Sequence, residues 1–166
     1  APLYARYLDP VYRYCYRRLG GREAAEDATG EVFYKALASL PGYRDGSFGG
    51  WLMAIAHNVV TDSFRRRPPE EPLGADYDPP EDAATPEEQA LAAEERRSLR
   101  ALLVRLPDDQ RSVMELRLAG LKGTEIATVL GRSLRAVKML QFRAIARLRV
   151  ALGVQTGSGE AHHGRV

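Results

Sequence analysis

The sequence predicts an all-α fold of two small helical domains joined by a flexible, acidic, Pro-rich linker. Three observations predict it. Apolar residues recur at spacings of three and four rather than two, and no alternating Val/Ile/Thr run reaches strand length. Six of the ten prolines (Pro68, Pro69, Pro72, Pro79, Pro80 and Pro86) fall within nineteen residues that also hold Gly74, a stretch too polar and Pro-rich for a core. Charge reverses at the same boundaries. The formal net charge of +2 conceals a net +3 over residues 1–67, a net −8 over 68–98 and a net +7 over 99–152. The division expected is therefore a first domain over 1–67, a linker over 68–86, a second domain over 87–152 and a disordered Gly-rich tail over 153–166. Each domain is small enough that partner binding should matter to its stability.

In the first domain the pattern predicts helices near 3–19, 23–40 and 48–66, broken by Gly20-Gly21 and Pro41-Gly42. At 100° per residue, the second helix places Ala25, Ala28, Val32, Ala36 and Leu40 on one face. The opposite face carries Glu23, Asp27, Glu31 and Tyr34, an acidic stripe that on its own reads as a solvated surface. The third helix is expected to bury Leu52, Ile55, Ala56 and Val59 and to expose His57, Asn58, Thr61, Asp62 and Arg65. It ends in Arg65-Arg66-Arg67, cations that suit a helix C-terminus whatever else they meet.

In the second domain helices are expected near 87–106, 108–119, 123–130 and 134–152, separated by Pro107, Gly120 and Gly131. The run from Thr124 to Ser133 has the shape of a helix-turn-helix: a short helix, a Gly-containing turn, and Ser133 as N-cap of the next helix. That next helix has a core stripe of Val137, Leu140, Ala144 and Leu148. Its other face presents Arg135, Lys138, Met139 and Phe142, flanked by Arg143. Exposed Met and Phe among cations are poor for a solvated face and suited to base edges and phosphates in a major groove. The basic block points the same way, to a polyanionic partner.

Other classes find little support. The single Cys15 makes no internal disulfide, no apolar run approaches the ~20 residues of a bilayer span, and Ala1 to Tyr7 lack a secretory layout, so a cytoplasmic protein without membrane insertion is expected. There is no His-Glu-x-x-His, no phosphate-binding Gly-x-x-x-x-Gly-Lys loop and no Cys pair for zinc. His57, Asp62 and Ser63 share one helix at spacings that keep Ser63 off the imidazole, and His162-His163 lack further ligands. No enzyme, cofactor or metal site is expected.

The residues Ala25-Glu26-Asp27-Ala28-Thr29-Gly30-Glu31-Val32-Phe33, then Phe48 to Asn58 and Asp62 to Arg67, form one signature; Leu106 to Arg111, Glu125-Ile126-Ala127, Leu130 to Ser133, Val137-Lys138 and Arg143-Ala144 form another. In this order across a linker, the chain resembles the extracytoplasmic-function (ECF) sigma factors, sigma-70 family promoter-specificity subunits of bacterial RNA polymerase. The resemblance runs from about Leu3 to Leu152. It implies binding to core RNA polymerase through Glu23, Asp27, Glu31 and Tyr34, which would dock on the basic coiled coil of the clamp. It implies capture and melting of the minus-ten promoter DNA by Tyr43, Phe48 and Trp51 with Asn58, Thr61 and Asp62, while Arg65 and Arg66 hold phosphate. The minus-thirty-five element would be read by Arg135, Lys138, Met139, Phe142 and Arg143. An anti-sigma factor is a further partner the resemblance implies.

Four positions depart from the family pattern. Gly30 stands where Gln is frequent, Lys122 where Ser usually caps the first helix of the helix-turn-helix, and Met139-Leu140 where many relatives have Ser-Arg, so promoter contacts cannot be copied from those relatives. The linker is long enough for the role. Elements about 25 base pairs apart are separated by roughly 85 Å at ~3.4 Å per step. Nineteen extended residues reach at most about 65 Å, and two lobes of roughly 10 to 15 Å radius cover the rest. A stand-alone helix-turn-helix regulator binding duplex operator DNA remains the alternative at this point.

Overall fold

A computed structural model of the chain describes residues 2–44, 46–66 and 85–153. The expected linker and tail fall almost wholly outside the described residues. Within them the chain is helical throughout: α1 (Pro2–Leu19), α2 (Arg22–Ser39), a 3-10 turn (Leu40–Gly42), α3 (Phe48–Arg66), α4 (Pro86–Val104), α5 (Asp108–Leu118), α6 (Gly123–Leu130) and α7 (Leu134–Ala151).

Helix α1 buries Val11, Tyr14, Cys15 and Arg18, spaced at three and four. Pro10 sits inside it on the exposed side, forfeiting a bond to the carbonyl four residues back without ending the helix. Gly20, at φ 77°, takes the left-handed conformation that closes the helix, and its N–H donates to the Tyr16 carbonyl at 2.9 Å. Ala25, Ala28, Val32 and Ala36 of α2 are buried as expected. Leu40 is a correction: it is 48% exposed. The α-helix stops at Ser39, and the tighter 3-10 turn rotates Leu40 off the apolar stripe.

In α3, Leu52, Ala56 and Val59 are buried, but Ile55 only partly so, while Met53 and Val60 join the core. His57 is also a correction, being half-buried rather than exposed. Both changes have one cause. Helix α3 packs against α1, α2 and α6, so its covered surface is wider than a single stripe.

The second lobe begins with a capping box absent from the sequence reading. Thr85 Oγ1 accepts from the Glu88 N–H at 3.2 Å and Glu88 accepts from the Thr85 N–H at 2.9 Å, which starts α4 at Pro86. Helix α6 lacks a side-chain cap from Lys122, whose ammonium accepts nothing; instead Glu125 accepts from the Lys122 N–H at 3.0 Å. Gly131, at φ 62°, closes α6, and Ser133 caps α7 by accepting from the Ala136 N–H at 3.1 Å. Val137, Leu140 and Ala144 are buried, whereas Leu148 is half-buried over a small second cluster with Leu103 and Leu106.

The lobes do not stand apart. One contiguous apolar cluster includes Val11, Tyr14, Leu52 and Val59 from the first and Val113, Leu116, Leu121, Ile126 and Val137 from the second. At the seam, Arg17 Nε donates to Glu115 Oε2 at 2.7 Å, and Glu115 is wholly buried. Arg111 Nη2 donates to the Arg17 carbonyl at 2.9 Å, and the Arg100 guanidinium lies 4.7 Å from the Tyr16 ring centroid.

Candidate polymerase and promoter interfaces

Helix α2 aims its apolar residues at α1 and α3, which leaves its acidic side outward. Glu23 and Asp27 are exposed; Glu31 is half-exposed and pairs with Lys35 at 3.0 Å. Tyr34 is 75% exposed, and Leu37, also exposed, extends the stripe with an apolar end that the sequence reading did not single out. Gly30 lies on this outward side, with nothing within 4 Å of the position a Cβ would take. The surface offers carboxylates followed by a ring and an aliphatic side chain, which suits a basic partner with an apolar edge.

The entrance to α3 is aromatic. Tyr43, Phe48 and Trp51 form a triangle with ring centroids 5.1 to 5.7 Å apart, and Tyr7 of α1 joins Phe48 at 5.2 Å. The Tyr43 hydroxyl donates to the Gly46 carbonyl at 2.6 Å, which ties the loop to the rings. All three rings are half-buried, so part of each face is available for stacking. Sequence reading missed Tyr7, because nothing in the spacing announces a contact across some forty residues.

Along α3, Asn58, Arg65 and Arg66 are exposed, and Thr61 and Asp62 are half-buried. Thr61 Oγ1 donates back to the His57 carbonyl at 2.8 Å, and Asp62 lies 3.9 Å from Arg65 in an exposed pair. His57 turns inward, its Nδ1 3.1 Å from the Tyr14 hydroxyl. Burial, reinforced by nearby Arg18, lowers the His57 pKa below its usual 6.5, and burial pushes the Tyr14 hydroxyl well above its ordinary value. Both groups are thus held neutral. His57 belongs to the packing of α3 on α1, and its neighbours Asn58, Thr61 and Asp62 form the surface.

In α7 the geometry is simplest. Val137, Leu140 and Ala144 fix the helix on α5 and α6, Gln141 accepts from Arg117 Nε of α5 at 3.1 Å, and the other residues between them face away. Arg135, Lys138, Met139, Phe142 and Arg143 are all exposed, Met139 to 46% and Phe142 to 71%. Their position follows a helix-turn-helix closed by Gly131 and restarted by Ser133. Among the described residues, no group of three or more His, Cys, Asp or Glu could hold a metal ion, and no helix is long and apolar enough to cross a membrane.

Comparison with known proteins places the chain in a family. The family model "Sigma-70 region 2" matches residues 3–68 and "Sigma-70, region 4" matches residues 96–148. The chain is 39% identical over 151 residues to the ECF RNA polymerase sigma factor BldN of Streptomyces coelicolor, using 88% of this chain and 57% of that protein. It is 37% identical over 150 residues to the ECF RNA polymerase sigma factor ShbA of Streptomyces griseus, using 82% of this chain and 78% of that one. The chain thus spans little more than half the length of the first relative. Two solved structures share the fold: CnrH in complex with the cytosolic domain of CnrY, at 24% identity and TM-score 0.69 over 93% of this chain and 88% of that one, and the sigma factor RpoE in complex with the anti-sigma factor NepR from Bartonella quintana, at 20% identity and TM-score 0.72 over 93% and 96%. With both sigma-70 regions matched in order and a relative aligned over more than two thirds of its own length, the chain belongs to the ECF sigma factors of the sigma-70 family.

Proposed function

We propose that this chain binds core RNA polymerase in the bacterial cytoplasm and directs initiation at a defined class of promoters, without catalysing a reaction itself. The single observation that carries the reading is the coexistence, in one chain, of an exposed acidic stripe on α2 and an exposed cationic and apolar face on the second helix of a helix-turn-helix. The first suits a basic protein surface and the second a major groove. Residues 1–67 would dock on polymerase through Glu23, Asp27, Glu31 and Tyr34. They would hold the melted minus-ten strand on Tyr43, Phe48, Trp51, Asn58, Thr61 and Asp62, with Arg65 and Arg66 on phosphate. Exposed π faces and amide or carboxylate edges are the groups that receive unstacked bases.

Residues 87–152 would read the minus-thirty-five duplex through Arg135, Lys138, Met139, Phe142 and Arg143. We assign Arg143 to phosphate and the other four to base edges. The complex of RpoE with the anti-sigma factor NepR supports an anti-sigma factor as a further partner of this chain. Run-off transcription with core polymerase, followed by mapping of start sites, tests the proposal: polymerase alone should ignore promoters that it uses when this chain is added. Permanganate-reactive promoter DNA in the presence of this chain and no polymerase would instead identify an autonomous DNA-binding protein.

A further inference from the structure

Beside the apolar cluster that the two lobes share lies a group of charges that do not balance. Arg17, at the end of α1, donates to Glu115 of α5, and Arg111 of α5 donates from Nη2 to the Arg17 carbonyl at 2.9 Å. Glu115 thus already faces two guanidinia, its second oxygen lying 3.8 Å from Arg111 Nε. The next residue of α1, Arg18, has neither carboxylate nor carbonyl. It is only 9% exposed, its Nε is buried without a hydrogen-bond partner, and among the described residues no ion pair includes it. Its surroundings are a ring and more positive charge. The Phe64 ring centroid of α3 is 5.7 Å from the Arg18 guanidinium carbon. Burial first, and then nearby Arg18, lowers the pKa of both His57 and Arg111. His57, held neutral with Nδ1 toward the Tyr14 hydroxyl, supplies no counter-charge. Arg13, one turn before Arg17, buries another Nε without a partner. Four guanidinia therefore share this region with two carboxylates, Glu115 and the exposed Asp108.

A buried cation without a partner is costly to fold around, and a Met side chain would fill the same space against Phe64 without that cost. What a guanidinium adds there is a planar fork of donors that fits an oxyanion. We infer that Arg18 and Arg111 form a binding site for a small phosphate-bearing molecule, whose phosphate dianion supplies the counter-charge that the chain lacks where α1, α3 and α5 meet. The inference goes beyond promoter recognition and does not depend on it. Burial selects the size of the ligand. With so little of Arg18 exposed, a diffusible phosphate compound can reach it and the backbone of a duplex cannot. Charge selects the class, because a dianion answers two guanidinia, one from each lobe, where a carboxylate would answer one. The exposed Arg65 and Arg66, at the end of the same α3, are left for the promoter strand.

The test uses the full chain in phosphate-free buffer, with chloride holding the ionic strength constant so that screening does not change. Isothermal titration with inorganic phosphate, with pyrophosphate and with a nucleoside triphosphate should show one molecule bound per chain for at least one of the three. Their ranking separates free phosphate from a nucleotide as the source of the anion. The compound that binds should raise the thermal midpoint of the parent by several degrees at saturation and leave that of Arg18→Met unmoved. Arg18→Met should lower the affinity about tenfold or more, and Arg18→Lys, which keeps the charge and loses the fork, should do the same. Arg105→Met removes an exposed cation just past the end of α4 and should bind as the parent does, which separates the site from net charge. Binding of none of the three compounds, or equal affinity in parent and Arg18→Met, overturns the inference. If Arg18→Met does not fold, parental affinity in Arg18→Lys overturns it instead.

Discussion

Replacing Met139 or Phe142 by Ala should weaken promoter selection far more than it weakens the fold. Full burial of such a side chain stabilises a protein by about 1.5 to 3 kcal/mol, but Phe142 is 71% exposed and Met139 46% exposed. Scaling by the buried fraction leaves under ~1 kcal/mol for Phe142 and about 1 to 1.5 kcal/mol for Met139, upper values because the unfolded chain already shields some surface. Leu140, one residue along and only 6% exposed, should instead cost about 2 to 5 kcal/mol when truncated, the usual range for a buried Leu. Loss of a base contact costs roughly 1 to 3 kcal/mol, which is about 5-fold to 150-fold in affinity. Urea melts measure the first quantity, and transcription from a library of randomised upstream elements measures the second. The expected pattern is near-parental melts with relaxed sequence choice for the two exposed residues, and loss of folding for Leu140→Ala. If Met139→Ala and Phe142→Ala select the parental sequence with parental activity, the exposed pair does not read DNA.

Charge reversal at Asp27 and Glu31 to Lys should reduce pull-down of core polymerase while leaving helix content intact, and unchanged capture would remove α2 from the docking surface. Gly30→Ala should raise stability by about 0.5 to 1 kcal/mol, because Gly30 lies in an exposed helix interior with open space at the Cβ position. Gly131→Ala should lower it by about 1 to 2 kcal/mol, because φ 62° places a Cβ against the following carbonyl; thermal melts of the two variants should move in opposite directions. His57 has its pKa lowered mainly by burial and further by Arg18, so the unfolded chain binds the proton more readily than the folded one. Its contribution is intact above the ordinary value of 6.5 and declines as pH falls from there toward the lower folded-state value. A urea-melt series across this window should show that slope, and His57→Gln should flatten it.

The helices, their breaks and the exposure of the α7 face were legible because each depends on local rules: apolar spacing, a left-handed glycine at Gly131, and a serine cap at Ser133. Thr85-Pro86-Glu87-Glu88 was equally local and could have been read as a capping box. The misplaced residues share a different property. Leu40, Ile55 and His57 were assigned from the periodicity of one helix, and Met53 and Val60 were left unassigned, but the burial of all five is decided by a 3-10 turn or by how many helices surround α3. The Arg17–Glu115 pair is further from reach still, since its partners are separated by 98 positions and each looks like an ordinary surface charge in its own helix.

That pair also shows why charge arithmetic alone leaves the relation between the lobes open. A net charge says little about a seam where one carboxylate sits among several arginines. Glu115 is wholly buried, and Arg17 and Arg111 both approach it. Such a buried pair contributes little net stability once desolvation is counted, but losing one partner without solvation of the other is costly. Parting the lobes would also uncover the apolar side chains of the shared cluster, Val113, Leu116 and Ile126 among them, so the seam is held by burial as well as by charge.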